Sequence, residues 1–546
     1  MKPWPASARL WWALAGVPAA FLGLFFLWPA GTVIVRGLLG ADGFGGGDLA
    51  GSLEVITRSR TLDAIVTTVV LAALGTLGSL ALGLPAAWAL SRFSWRGART
   101  MRALVTVPFV LPTIVVAAAF QALLGRSGML GFLGLDQSMA AIVLALVFFN
   151  ISVVVRIVGG AWESLSPRMA DAARTLGASP ARAFVRVTMP ALRPAIASAA
   201  AVVMLFCSTS FALVLVLGGS RIRTVETEIY LQVNQFLDLR AAAVLALVQV
   251  VFVGIALWVS ARARSPRPPA AVEPARAPRG RERLGIAVAL APTALLLTLP
   301  GLALLERSLR TTDGHGLDHY AAMVGDPPAR STLTAPLWQA AVTSLATALV
   351  ATAMAAAVGI VTALLVARRS RRASALESLV MLPLGVSAVV VGLGLLLTLN
   401  SSVLGVDLRG SWWLVPIAQA VVALPLMVRA LVPAARAIDP RLRAAAATLG
   451  ASPWRVLWRV DAPLLRSATA ASIAFAFAIS MGEFGATAFV ARPDRPTLPT
   501  AIAKLLSRPG IDNVGMAYAA AVLLAALTAA VMLASERLRT TVGAEL

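Results

Sequence analysis

Thr175-Leu176-Gly177-Ala178-Ser179-Pro180 recurs 273 residues later as Thr448-Leu449-Gly450-Ala451-Ser452-Pro453. The same offset pairs Arg182 with Arg455, Arg186 with Arg459, Pro190 with Pro463 and Arg193 with Arg466. Further out it pairs Arg156 with Arg429, Phe211 with Phe484 and Thr224 with Thr497. Upstream the register drifts by a few residues, setting Thr67-Thr68 against Thr343-Ser344. Six consecutive identities with matched flanks mark an internal duplication. Between the copies, residues 261–283 are rich in Pro, Arg and Ala and read as a flexible, solvated linker. The chain thus divides into a first membrane repeat over 1–260, the linker 261–283 and a second repeat over 284–546.

Composition decides what the repeats are made of. With 59% hydrophobic and 13% charged residues in 546, the chain cannot cover a globular surface with polar groups, since soluble domains carry roughly 25% charge. In hydrocarbon each backbone N–H and C=O must be paired within its own segment or a closed barrel, so long apolar runs without period-two alternation read as helices. The sequence predicts an all-α integral membrane protein. Runs of about 20 apolar residues suffice for a crossing, and twelve can be marked: 11–35, 62–90, 103–125, 139–161, 194–218, 238–260, 284–305, 337–366, 376–400, 411–433, 468–491 and 516–535. The first begins too far from the N-terminus for a cleaved signal and is expected to be retained.

The net charge of +22 does not point to nucleic acid, because the basic residues lie in short loops between apolar runs. Loops 91–102, 162–193, 261–283, 367–375 and 434–466 hold 26 of the 47 Lys and Arg residues. Lys2, Arg9, Arg537 and Arg539 extend the same pattern to the ends. All fall on one side under the twelve-span reading, which places both termini in the cytoplasm. Six crossings per repeat is an even number, so the repeats enter from the same side, are parallel and are related by an axis along the membrane normal.

The loop containing the duplicated stretch carries the functional reading. Small residues precede each glycine and form a short helix of low profile, the glycine allows a sharp exit, and a proline thirteen residues on is expected to restart the next helix near the membrane face. Such a stub can be gripped by a partner's groove. Asp171-Ala172-Ala173, Gly177, then Val187, Met189 and Pro190 resemble the signature of ABC importer permeases, in which Glu-Ala-Ala is followed at fixed spacing by Gly and by Ile-x-Leu-Pro. The second copy reads Ala444-Ala445-Ala446, Gly450, Val460, Ala462 and Pro463. It keeps the spacing and lacks the acid.

The resemblance covers nearly the whole chain and implies the type I importer permease fold in a bacterial inner membrane. It implies two copies of a separate ATPase subunit gripping the two loops, and an extracytoplasmic substrate-binding protein. The chain offers no phosphate-binding loop of its own: Lys2 and Lys504 are its only lysines and neither follows Gly before Ser or Thr. It is read as a transport subunit rather than an enzyme, with no cofactor and with ATP bound by the partner. Gly125-Arg126-Ser127-Gly128 with Leu130, Phe148-Phe149-Asn150, Ser210-Phe211 with Leu217-Gly218-Gly219, Thr224-Val225-Glu226 and Gly482-Glu483-Phe484-Gly485 are most similar to thiamine-type members. Thiamine or its phosphates is therefore favoured as cargo over ferric iron.

Polar groups at membrane depth are costly and carry a functional hypothesis by default. Glu483, its counterpart Ser210, and Asn150 are the candidates for the translocation path, with Gln121 a weaker one. Cys207 is read as packing. His315 and His319 lie beside Gly314 and Gly316 and are read as a solvated loop, so no metal site is expected. A secondary transporter is the alternative class, but it needs a coupling relay and has no use for a duplicated loop of this kind.

Overall fold

A computed structural model describes residues 14–40, 49–166, 168–263, 275–311, 314–325, 336–367, 371–399, 411–508 and 510–543. The linker's 264–274 segment, Lys2, Arg9, Arg368 and Arg369 lie outside the described residues.

The apolar runs are helices, as their Ala- and Leu-rich composition requires. Ten are long enough to span on their own: Gly16–Leu39, Ser59–Arg92, Met139–Glu163, Pro180–Ser208, Leu239–Val259, Glu282–Leu309, Leu337–Val366, Leu414–Ala437, Pro453–Gly482 and Asp512–Ala534. The runs expected at 103–125 and 376–400 are bent pairs instead. Ala98–Pro108 with Thr113–Leu124 turns by 105°, and Arg372–Gly385 with Ala388–Thr398 by 98°. Both bends have a local cause. Leu111 and Pro112 are extended, proline removing an N–H and restricting the residue before it. In the second pair Val386 is extended and the Ser387 hydroxyl caps the new helix by accepting the Val390 N–H at 3.2 Å.

The chain divides into two compact units. One comprises Met1–Val55, Ile229–Leu247 and Thr311–Leu546; the other comprises Ile56–Glu228 and Val248–Arg310. Each unit therefore includes the first long helix of the opposite half of the sequence, Gly16–Leu39 in one and Glu282–Leu309 in the other. The repeat boundaries at 260 and 284 follow the duplication, whereas the compact units follow packing.

In the unit holding most of the second half, the helix Gly16–Leu39 packs closely on its neighbours. A Cβ on Gly394 would stand 3.0 Å from the Pro29 carbonyl, and one on Gly37 would stand 2.9 Å from the Ala243 carbonyl oxygen. In the other unit, Ser59–Arg92 packs along Met139–Glu163 through glycines. A Cβ on Gly78 would meet Val147 at 2.6 Å, and one on Gly83 would meet Val154 at 2.6 Å. Lipid tails are as apolar as leucine, so contact between such helices comes from this close approach rather than from escape from water.

Within each unit, side-chain contacts show which helix ends share a side. Arg92, Leu165, Ser166 and Met169 line one small cavity, so Ser59–Arg92 and Met139–Glu163 end together. The bent pair between them must then carry the chain across. In the other unit Arg436 pairs with Glu377 at 2.7 Å, and Leu364, Ala435 and Leu465 share a cluster. The second bent pair is a crossing by the same argument.

Candidate functional site

The two duplicated loops fold alike, atom for atom in their backbone bonds. In the first, the helix Arg168–Thr175 ends as Leu176, Gly177 and Ala178 donate to the carbonyls of Ala172, Arg174 and Ala173 at 3.2, 3.0 and 3.0 Å. In the second, Pro440–Thr448 ends as Leu449, Gly450 and Ala451 donate to Ala445, Ala447 and Ala446 at the same three distances. Gly177 at φ +84° and Gly450 at φ +78° occupy the left-handed region that closes this motif. A Cβ at either glycine would meet nothing within 4 Å. The turn's demand is thus conformational and not steric. After each turn a serine restarts the helix, Ser179 accepting the Arg182 N–H and Ser452 the Arg455 N–H, with Pro180 and Pro453 at the first helical position.

The expected role of the later prolines is corrected here. Pro190 and Pro463 do not restart a helix; they lie inside the continuous helices Pro180–Ser208 and Pro453–Gly482. A proline leaves the carbonyl four residues before it unpaired, and the helix accommodates this by widening into π turns at Phe184–Thr188 and Leu457–Asp461, again 273 residues apart. The arginine-rich segment before the apolar run is helical too, so these crossings begin about four turns earlier than hydropathy marks.

What the loops present is a pair of leucines. Leu176 is 89% and Leu449 88% exposed, and Met169 and Leu442, also equivalent, are half exposed. What braces them differs. Asp171 is exposed and only 3.9 Å from Arg174. The second loop, with Ala444 at that position, instead joins Arg443 Nε to Asp461 Oδ1 at 2.7 Å. Ala172, Ala173, Ala445 and Ala446 serve as backbone acceptors or spacers on the short helices.

The linker is only partly the free segment expected. Arg276 exchanges backbone bonds with Arg92 and Ser94 at 3.2 and 2.9 Å, lies over the Phe93 ring at 4.9 Å, and grips Glu282 with both terminal guanidinium nitrogens. Its hydrogen bond to Glu282 raises the guanidinium pKa above its usual value, with Asp171 of the first short helix adding to the effect.

The membrane-depth candidates sit in distinct settings. Ser210 and Glu483 occupy equivalent breaks, after the helices Pro180–Ser208 and Pro453–Gly482. Ser210 makes no capping bond. Glu483 is 6% exposed, and its carboxylate accepts the N–H groups of Ala486 and Thr487 at 2.7 and 2.9 Å and the Thr487 hydroxyl. Asn150 is fully buried, donating to the Leu146 carbonyl at 2.9 Å and to Cys207 Sγ at 3.4 Å, while its Oδ1 has no partner among the described residues. His319 departs from the solvated loop expected. It lies on the short helix Asp318–Ala322, 6% exposed, with its ring where a Cβ on Gly515 would fall.

Sequence reasoning missed two features. The Val225 N–H donates to Thr68 Oγ1 at 3.0 Å, and the Leu498 N–H to Ser344 Oγ at 2.7 Å. The residues on both sides of this bond are duplicated, and that paired duplication was the available signal. The Arg60–Glu228 ion pair at 2.6 Å has no such signal, as its counterpart positions are uncharged.

Comparison with known proteins agrees with this duplicated plan. The thiamine transport system permease protein ThiP of Brucella abortus (strain 2308) is 26% identical over 550 residues, covering 96% of this chain and 94% of its own. ThiP of Escherichia coli K12 is 29% identical over 432 residues, 75% of this chain and 77% of its own. The molybdenum transport system permease protein ModB of E. coli K12 is 36% identical over 194 residues, 33% of this chain and 85% of its own. The family described as the binding-protein-dependent transport system inner membrane component matches residues 79–265 and again 355–542. The chain belongs to that family, carrying its domain twice as a fused ABC importer permease.

Proposed function

We propose that this permease passes thiamine or its phosphates from an extracytoplasmic binding protein into the cytoplasm, driven by two ATPase subunits that grip Leu176 and Leu449 on the two short helices. The observation that carries the cargo is length. The ThiP relative of B. abortus aligns through both halves and the linker, over 96% of this chain, while ModB aligns with one third of it. Thiamine is kept ahead of ferric iron and molybdate on that ground.

The ATPase reading is supported by the two identical, exposed, closed turns, and the sidedness by the arginine-rich loops. The linker, both short helices and both termini accordingly face the cytoplasm. Ser210, Asn150 and Glu483 are kept as groups near the path, with Glu483 held by the short helix that follows it.

The partner binding protein, purified and titrated with thiamine, thiamine phosphates, ferric salt and molybdate, is expected to bind a thiamine form. Uptake of that compound should vanish when this permease is deleted. Saturable binding of only ferric ion or molybdate overturns the cargo and leaves the permease assignment intact.

A further inference from the structure

Arg443 sits on the second short helix and Asp461 closes the π turn at the root of the membrane helix behind it. Their 2.7 Å bond is charge-assisted, with Asp461 8% exposed and the Arg443 side chain 29% exposed. The equivalent positions of the first loop are Ala170 and Thr188, which cannot form it; they line the small cavity shared with Arg92 and Ser166. A nine-residue helix held at its N-terminus by the Asp439 cap and at its C-terminus by the Gly450 turn can still roll about the line joining the two. A lateral tie to the helix behind removes that freedom.

We propose that Arg443 and Asp461 are a positioning pair that fixes the second short helix to the membrane helix Pro453–Gly482, so that movement imposed on the loop is delivered to that helix instead of being absorbed by rolling. The inference rests on the coupling role proposed above. It assigns to the second loop, which lacks the acid of the first, a brace of its own, and it makes the two ATPase contacts mechanically unequal.

A pair that merely satisfies two shielded charges behaves differently from one that transmits motion. Removing either partner alone strands a charge, whereas removing both does not. The assembled transporter, reconstituted with its ATPase and its binding protein loaded with thiamine as probe, separates the cases through three readouts: membrane abundance, affinity for the ATPase subunit, and stimulated hydrolysis at saturating subunit. Arg443→Ala and Asp461→Ala are expected to lower abundance and to cut stimulation about tenfold. The double alanine variant should regain abundance and keep subunit affinity within about twofold, yet remain about tenfold down in stimulation. Arg443→Lys, which keeps the pair, should hold stimulation within about threefold of the parent.

Full stimulation in the double alanine variant overturns the proposal, as does a fall in subunit affinity that accounts for the lost stimulation. The coupling reading fails separately. If the Gly177→Trp, Gly450→Trp variant stimulates normally, the loops are not couplers at all; if it is uncoupled while the double alanine variant is not, only the pair's role is lost.

Discussion

The two short loops share every backbone bond of their turns and differ in almost every side chain that braces them. The first has an exposed acid, a small cavity at its root and the linker's Arg276 alongside; the second has no acid there and a shielded ion pair at its root. Duplication has preserved the turn and the exposed leucine it carries. The supports have diverged. Under the proposed coupling role a partner meets the same knob twice, while the route from knob to membrane helix differs.

The largest expected effect falls on what the loops share. Gly177→Trp with Gly450→Trp should leave the protein in the membrane and abolish stimulated ATP hydrolysis. Nothing lies within 4 Å of either Cβ direction, so the strain is that of a left-handed non-glycine residue, about 1–2 kcal/mol per site, and the new bulk stands where the proposed ATPase contact would form. Leu176→Asp and Leu449→Asp disturb no packed neighbour, and each should weaken ATPase binding about tenfold or more, since the proposed contact would have to desolvate an unpaired charge. Equal losses from the two leucine variants sharpen the common-knob reading. A loss confined to one loop breaks it.

The duplication, the helical class and the position of the loops were legible because each depends on local identity or on apolar length. Gly177 and Gly450 could be named from spacing, and their left-handed turns follow from residue type. The bent pairs were not legible: hydropathy reports that a segment is apolar and says nothing about its direction, and only Pro108, Pro112 and Pro383 hinted at a break. The exchange of first helices between units depends on contacts more than 200 residues apart, such as Pro29 with Gly394, and leaves no periodic trace. The Arg443–Asp461 pair was not legible because it is not duplicated, the equivalent positions being Ala170 and Thr188.

A second contrast lies at the helix breaks. Glu483 uses its carboxylate on three donors of the next short helix, whereas Ser210 at the equivalent break caps nothing. Glu483→Gln replaces one acceptor oxygen by a donor facing other donors, at a loss of about 1–3 kcal/mol. Abundance and thermal stability should fall. Ser210→Ala should stay within about 0.5 kcal/mol of the parent. Measuring abundance and thiamine uptake in the same cells breaks the contrast if Glu483→Gln cuts uptake at unchanged abundance, for then the carboxylate acts on the passing cation and its capping bonds are dispensable.

A smaller loss than that of Glu483→Gln is expected where the halves agree. Thr68 accepts the Val225 N–H at 3.0 Å while donating to the Ala64 carbonyl at 2.7 Å, and Ser344 accepts the Leu498 N–H at 2.7 Å. In each half this bond ties the start of a short helix, Val225–Asn234 or Leu498–Leu506, to a long membrane helix. Behind it each half repeats the same threonine turn, with the Thr224 N–H donating to Thr227 Oγ1 at 2.8 Å and the Thr497 N–H donating to Thr500 Oγ1 at 2.9 Å. Thr68→Val removes the acceptor with little change of shape, and Ser344→Ala removes it with the loss of one atom. Each strands a buried N–H, so each should destabilise by about 1 kcal/mol. Because the two ties lie in different compact units and share no partner, the double variant should lose about the sum. Thermal unfolding of the three variants in one detergent measures this directly. Additive and equal losses mean that the two ties are independent copies of one device. A loss at Thr68 alone means that the ion pair of Arg60 with Glu228, four residues beyond the Thr224 cap and present only in the first half, has made that tie part of a larger cluster, and the resemblance between the halves ends at the backbone.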